Sequence, residues 1–135
     1  YTFFMKKLIL IFTLIFSIII FSSPSYAEWT KMGRTMKGDT FYLDFKTIRK
    51  HDGYVYYWML NDKLKPSKYG DLSIKYYRQV DCKLFRFKAL SYSFYKEPMG
   101  TGNAQVIHSK KKNWKNPSPN SINETIQKEV CRGNK

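Results

Sequence analysis

The chain of 135 residues is long enough for one domain with its own hydrophobic core. It has 24 lysine and arginine residues against 10 acidic ones, a formal net charge of +14. Such a charge favours anionic partners such as sulfated glycans, lipopolysaccharide or acidic protein surfaces, although it indicates only the sign of the partner. The sequence contains no zinc-finger or RNP-type signature, so nucleic acid is not expected as a partner.

The first part of the chain has the pattern of an export signal. Met5 begins a short basic stretch, residues 8–21 form an apolar run, and Ser25 and Ala27 provide a small-x-small cleavage site. The apolar run is shorter than the roughly 20 residues that a membrane-spanning helix needs. Pro24 would also end a helix at this point.

We therefore predict a signal peptide at residues 1–27, with residues 1–4 upstream of the true start, and a single mature domain at residues 28–135. Cleavage would leave no transmembrane segment. The exported protein is expected in the periplasm, at the cell surface or outside the cell. An uncleaved membrane anchor is the alternative.

Two cysteines, Cys82 and Cys131, lie in the predicted mature domain. Export delivers them to an oxidising compartment, where a pair without a third cysteine usually forms one structural disulfide. Such a bond would close a loop of about 50 residues and stabilise the fold by roughly 3–4 kcal/mol. A reactive nucleophilic cysteine is the alternative, since His51 and His108 could act as bases. No cysteine lies at the predicted cleavage point, so the acceptor for an N-terminal lipid is missing there.

The mature domain begins with a predicted β-hairpin. Residues 28–32 and 39–45 flank a turn with two glycines, and the second segment alternates between apolar and polar positions. Residues 46–53 follow; they are mostly polar and end in Asp-Gly, a turn signal. We therefore place His51 in a solvated loop, as an exposed titrating residue rather than a catalytic one.

Three aromatic-rich segments between residues 54 and 95 form the centre of the predicted sheet. In residues 72–82 the even positions are mostly apolar and the odd ones polar, which is typical of a strand with one buried face. In residues 54–64 the even positions are again the more apolar set, although the odd ones are half apolar. The third segment changes phase by one residue, which predicts a β-bulge near Ala89.

Proline and two glycines at residues 97–102 end the third segment, and residues 104–108 add a short last strand. Two loops combine lysines with an aromatic residue, a pattern that can bind an anionic polymer. The candidate ligand-binding residues are Lys65, Lys68 and Tyr69 in the first loop, and Lys110, Lys111, Lys112 and Trp114 in the second. The alternative is that both are solvated connectors, with the tryptophan packed onto the domain.

A helix is predicted near the C-terminus. Ser121 and Glu124 form a capping box, apolar residues recur every four positions from Ile122 to Val130, and Gly133 suits a C-terminal stop. The helix has only about 11 residues, too few to persist alone in water, so it must be stabilised by packing on the sheet.

The position of Cys82 predicts which face of the sheet the helix covers. Cys82 shares its parity with the apolar positions of residues 72–82, so its side chain should point to the buried face. A disulfide to Cys131 requires Cα atoms within about 7 Å, which would place the last helical turn over that face. The residues left on the other face, free for solvent or a partner, are Ser73, Lys75, Tyr77, Gln79 and Asp81.

Several segments together resemble a known family. They are Lys68-Tyr69-Gly70-Asp71-Leu72-Ser73, Asp81-Cys82, Tyr92-x-Phe94-Tyr95, Met99-Gly100-x-Gly102 and Glu124-Thr125-Ile126-x₄-Cys131. With them the chain resembles the surface-adhesin protein E-like domain, a family of small exported bacterial proteins, over essentially all of residues 28–131. The resemblance implies an antiparallel sheet with a C-terminal helix tied to its concave face by the disulfide. It also implies a role in binding host extracellular-matrix proteins.

The predicted fold class is α+β: an antiparallel β-sheet of about six strands with a C-terminal α-helix packed on one face and tethered by a disulfide. The predicted function is that of an exported, adhesin-like binding module, which recognises an extracellular-matrix protein, a sulfated glycan or lipopolysaccharide through its basic and aromatic loops. The alternative is a periplasmic envelope-accessory or structural protein with no adhesive role. Homodimerisation is left open.

No enzymatic role is predicted. The sequence lacks the Gly-x-Ser-x-Gly and His-Glu-x-x-His patterns, and no pair of carboxylates stands in an obviously buried setting. We expect no catalytic residue, no metal site and no cofactor.

Overall fold

A computed structural model describes residues 1–21, 27–110 and 113–132. Helix α1 spans Thr2–Phe21, within the predicted signal peptide. In the described part of the chain, no helix has the length and hydropathy needed to cross a membrane. Ser25 and Pro24, on which the predicted cleavage site depends, lie outside the described residues.

The described residues of the domain form one antiparallel sheet of seven strands and a C-terminal helix. The strands are β1 (Thr30–Arg34), β2 (Thr40–Leu43), β3 (Arg49–His51), β4 (Tyr54–Asp62), β5 (Ser73–Asp81), β6 (Arg86–Tyr95) and β7 (Ala104–His108), and the helix α2 is Ile122–Cys131. The strand order is β1-β2-β4-β5-β6-β7, and β3 pairs with β4 next to β2. The predicted α+β class is confirmed, as is the β1–β2 hairpin.

The predicted loop at residues 46–53 is partly wrong. A short 3₁₀ turn at Phe45–Thr47 leads into β3, so His51 lies in a strand, although its side chain is exposed. Asp52 and Gly53 both have positive φ, 49° and 80°, as a type I′ hairpin turn requires. The Asp-Gly signal therefore joins two paired strands, and the polar composition of β3 concealed the first of them.

The face of β4 that packs on the helix is the odd one, although the even positions are the more apolar set in the sequence. Val55, Tyr57 and Met59 are almost fully buried, whereas Tyr54, Tyr56 and Trp58 are only half buried. The register explains the difference, because Val55 pairs with Val80, which lies on the same face as Cys82. Both faces of β4 are apolar, so its hydrophobic pattern alone could not decide which one the helix covers.

The other predictions for the central sheet are confirmed. The register of β6 against β5 shifts between Tyr77 and Arg78, where Leu90 is the extra residue beside Ala89. Cys82 and Cys131 form a disulfide with a Cα–Cα distance of 5.6 Å. The helix therefore covers the even face of β5, as the parity of Cys82 predicts.

Helix α2 begins at its predicted cap. The Ser121 hydroxyl accepts a hydrogen bond from Glu124 N at 3.1 Å, while the Glu124 carboxylate accepts from Asn120 N at 3.4 Å. Ile126 and Val130 are buried in the core with residues of β2, β4 and β5. The predicted stop at Gly133 lies outside the described residues.

One polar contact also joins the helix to the sheet. Arg78 occupies an otherwise apolar face of β5, and its guanidinium lies 4.4 Å from the ring centroid of Phe87. Its Nη1 donates to Asn123 Oδ1 of α2 at 2.9 Å. This bond gives the buried arginine a partner on the helix.

Candidate ligand-binding face

The face of the sheet opposite α2, here called the open face, is rich in aromatic and basic side chains. Successive residues of a strand point to opposite faces, so alternate positions of three neighbouring strands meet there. These residues are Tyr54, Tyr56 and Trp58 on β4, Lys75, Tyr77 and Gln79 on β5, and Arg86 and Lys88 on β6. All of them are half buried. Their exposed atoms can contact a ligand, while packing restricts the movement of the side chains.

The aromatic rings form a row across the open face. The ring centroids of Trp58 and Tyr77 lie 4.7 Å apart in a stacked arrangement, and Tyr77 lies 6.2 Å from Tyr56. His51 on β3 extends the row, with its ring centroid 6.5 Å from that of Tyr56. Partial burial and the nearby Tyr77 raise the pKa of the Tyr56 hydroxyl, which therefore remains a neutral hydrogen-bond donor at physiological pH.

Trp114 belongs to the open face. Its ring stacks on Tyr54 with centroids 5.6 Å apart, and the cations of Arg86 and Lys88 lie 4.6 and 4.3 Å from its centroid. The next residue, Lys115, exchanges two backbone hydrogen bonds of 2.8 and 2.9 Å with Phe87 of β6. Backbone pairing thus holds the tryptophan against the sheet, and its ring is half exposed.

Arg86 is held in place by an ion pair with Asp81. Nε of Arg86 donates to Asp81 Oδ2 at 3.1 Å, and the other carboxylate oxygen accepts from the backbone N–H groups of Lys83 and Leu84. Burial by itself would raise the pKa of Asp81. The hydrogen bond from Leu84 and the Arg86 guanidinium outweigh it, and the pKa lies below its ordinary value of 3.8.

The Asp81 ion pair predicts a loss of stability in acid. Because the folded-state pKa is the lower one, this contribution is fully present above the ordinary pKa and disappears as the pH falls through the folded pKa. We expect Asp81→Asn to flatten the pH dependence of the unfolding free energy in acid, measured by urea titration between about pH 2 and pH 6. Glu97→Gln, at an exposed carboxylate, is the control. An Asp81→Asn protein with the acid dependence of the parent would contradict the assignment.

Three further cations lie on the open face. Among the described residues, Arg49, Lys75 and Lys88 form no ion pair. Arg49 shares the open face because it pairs with Tyr56. Cations next to aromatic rings and without a counter-ion in the protein attract an anionic ligand.

The residues predicted from the sequence do not form one site. Lys68 lies over the ring of Tyr69, with its Nζ 4.9 Å from the centroid, and Tyr69 and Lys65 are exposed. This loop follows the end of β4, whereas Trp114 lies beside the first residue of that strand. Nine residues of strand separate the two places by about 26 Å at ~3.3 Å per residue.

The second predicted loop divides between the two sides of the sheet. Trp114 faces the open side, whereas the exposed Lys110 lines a separate cleft with Tyr92 and Ile107, which share the helix side by register. Lys111 and Lys112 lie outside the described residues. The ligand-binding role of all seven residues remains a prediction.

The sequence predicts only part of the open face. The parity of β5 predicts five residues on a free face, and Lys75, Tyr77 and Gln79 are accessible there. Ser73 and Asp81 point to the same side but are not free: both are buried, Ser73 bonded to the turn at residues 97–100 and Asp81 paired with Arg86.

Because the even positions of β4 are its more apolar set, the sequence does not predict Tyr56 and Trp58 on this face, and it gives Arg49 and Lys88 no role. Their place on the face opposite Cys82 follows from pairing between strands, of Tyr56 and Trp58 with β5, of Arg49 with Tyr56 and of Lys88 with Gln79. Alternation within a single strand does not reveal these pairings.

A single antiparallel sheet, with one face packed on a disulfide-tethered helix, defines a protein of the α+β class. The family model of surface-adhesin protein E matches residues 29–132, and the chain belongs to that family. The family is one of surface adhesins, not of enzymes, and membership indicates an exported or surface protein.

Solved structures of Haemophilus influenzae protein E share the fold. One is 14% identical with a TM-score of 0.58, covering 81% of this chain and 87% of that one. A second crystal form is 16% identical with a TM-score of 0.56, covering 81% and 91%. Protein E from non-typeable Haemophilus influenzae is 13% identical with a TM-score of 0.54, covering 83% and 90%. No curated protein sequence matches the chain significantly.

Proposed function

We propose that the protein is an exported, adhesin-like module that binds an anionic macromolecule, either a sulfated glycan or an acidic segment of a matrix protein, through its open face. The observation that supports this proposal most strongly is a row of half-exposed rings beside cations that form no ion pair in the described part of the chain, on the face that the helix leaves uncovered. Membership in a surface-adhesin family agrees with it.

The arrangement suits binding in two ways. Aromatic rings supported by a sheet are already restricted in movement, so they lose little conformational entropy when a ligand covers them. The entropic cost of binding is therefore small. Lys88 and Arg49, which form no ion pair with any described residue, can pair with sulfate or carboxylate groups without first breaking an ion pair. The predicted mature domain, which lacks Lys6 and Lys7, has a formal net charge of +12 against +14 for the full chain, and this adds a long-range attraction that accelerates encounter.

The loops predicted from the sequence have a secondary role in this proposal. Lys65, Lys68 and Tyr69 lie at the far end of β4, about 26 Å from Trp114 by strand length, so only an extended ligand reaches both. We propose that these residues contact the outer parts of a long polymer, as do Lys110, Lys111 and Lys112.

Matched charge removals test the proposal. Arg49→Gln with Lys88→Gln removes two cations from the open face, and Lys65→Gln with Lys68→Gln removes two from the distant loop. We expect the open-face pair to elute from a heparin column at clearly lower salt than the loop pair. The slope of log affinity against log salt should fall by about one for each lost contact, since counterion release governs such binding.

Lys37→Gln with Lys128→Gln provides the control for net charge alone. Both lysines are exposed and lie away from the open face, on the β1–β2 turn and on α2. If all three double variants elute at the same salt, the open face has no specific role and only overall charge retains the protein. That result would favour the alternative, an envelope-accessory protein without an adhesive role.

A further inference from the structure

One end of the open face contains a cleft of about 420 Å³. Its lining includes Trp29, Trp58, Tyr95, Lys75 and Asp44. The volume lies within the range of roughly 300–1,000 Å³ that small-ligand sites occupy, and such sites combine apolar walls with a few convergent polar groups. This end of the face is distinct from the Trp114 end.

Lys75 is held in a defined position in this cleft. Its Nζ lies 5.0 Å from the ring centroid of Tyr95 and 5.7 Å from that of Trp29. Its aliphatic stem packs against the turn before β7, because a β-carbon at Gly100 would come within 2.5 Å of Lys75 Cε. Within the described ranges this half-buried ammonium has no ion-pair partner. An anionic group of a ligand would supply one.

Asp44 places a carboxylate in the same cleft, so the ligand must also provide hydrogen-bond donors. The residue is only 2% exposed, and its Oδ1 accepts a hydrogen bond from Lys46 N at 3.1 Å. A carboxylate has about four acceptor positions and no donor, so it suits ligand groups that donate, such as hydroxyls. It also repels a bare phosphate or sulfate ion. A ligand that satisfies both Lys75 and Asp44 therefore has hydroxyl groups and one anionic substituent.

The cleft walls favour a ring with an apolar face. Two tryptophans and a tyrosine line the cleft, and the C–H groups on one face of a pyranose can lie flat against such rings. A flexible acidic peptide would offer few hydroxyl donors and no comparable flat surface. The cleft is therefore complementary to a sugar unit.

We propose that this cleft binds one acidic sugar unit, a pyranose with a single carboxylate or sulfate group. The anionic group pairs with Lys75, ring hydroxyls donate to Asp44, and the apolar face of the ring stacks on tryptophan. The inference rests on the proposed function, since it assigns a ligand unit to one end of the open face.

The three tryptophans of the chain allow a direct test, because Trp29 and Trp58 line the cleft and Trp114 lies at the other end of the face. The exported protein is titrated with methyl glucuronide, glucose 6-sulfate and uncharged methyl glucoside, while the indole N–H resonances are followed by NMR. We expect both acidic sugars to shift the Trp29 and Trp58 signals, with little change at Trp114. The uncharged sugar should bind at least about tenfold more weakly, the loss expected for one charge-assisted hydrogen bond.

Lys75→Met preserves the aliphatic stem against Gly100 and removes only the charge. It should lower the affinity for the acidic sugars by about tenfold, whereas Lys128→Met, at an exposed position of α2 on the other side of the sheet, should leave it unchanged. Unchanged indole signals up to about 50 mM sugar, or equal affinities of Lys75→Met and the parent, would overturn the inference. Heparin retention that depends on Arg49 and Lys88, without cleft binding, would leave the proposed function standing and remove this inference alone.

Discussion

Replacing Cys82 and Cys131 together by serine is expected to lower the free energy of unfolding by about 3–4 kcal/mol and to loosen α2 first. The disulfide joins residues 49 positions apart, so its loss restores much conformational freedom to the unfolded chain. Helix α2 has ten residues, too few to be stable alone, whereas the central strands keep their hydrogen-bonded neighbours.

Hydrogen exchange measured by NMR distinguishes the loosening of α2 from a loss of stability of the whole domain. The amides of Ile126 and Val130 should lose protection in the double variant, while those of Tyr57 and Val80 in the central strands should retain most of theirs. Helix amides that remain as protected as in the parent would show that packing alone holds α2. Simultaneous loss of protection in helix and strands would show that the two unfold as one unit.

Ile126→Ala is expected to cost about 2–5 kcal/mol, because the side chain is fully buried between α2 and the sheet. Removal of three carbons leaves a cavity in the core cluster that includes Leu43, Tyr57 and Val130. Urea denaturation measures the loss. The neighbouring Thr125→Ala, at an exposed position of the same helix, should change stability by less than about 0.5 kcal/mol. Equal effects of the two substitutions would contradict the burial of this helix face.

The prediction of the fold succeeded where short-range patterns were unambiguous. The parity of Cys82 with Val80 located the buried face of β5, and Ser121 with Glu124 located the start of α2. The phase change near Ala89 located the bulge. Each of these signals lies within about a dozen residues, so it depends little on the rest of the fold.

The candidate site was harder to predict, because it depends on which strands become neighbours. Trp58 and Tyr77 are 19 positions apart in sequence, yet their rings stack across β4 and β5. Trp114 lies against Tyr54 because the backbone of Lys115 pairs with that of Phe87. The lysines of the two loops are clustered in the sequence and are therefore easily recognised as a candidate site. The cations of the open face are far apart in the sequence and come together only in the folded sheet.

The glycines of residues 97–102 are a second feature whose contacts depend on the tertiary structure and not on the local sequence. Their positive φ values agree with the predicted end of β6, as with Gly100 at 64°. The closeness of Gly100 to the stem of Lys75 depends on the turn folding back over the sheet, where Met99 N donates to Asp62 and Gly100 N to Ser73. A role in positioning Lys75 could not be inferred from the sequence alone.

The most direct test of the account is to map where an anionic glycan binds. Backbone amide signals of the exported protein are followed during titration with a short heparin oligosaccharide. We predict the largest shifts at open-face residues such as Tyr56, Tyr77 and Lys88, with little change at Thr125 and Lys128 on α2. Shifts concentrated on α2, or confined to the loop of Lys68 and Tyr69, would contradict the assignment of the open face as the binding surface.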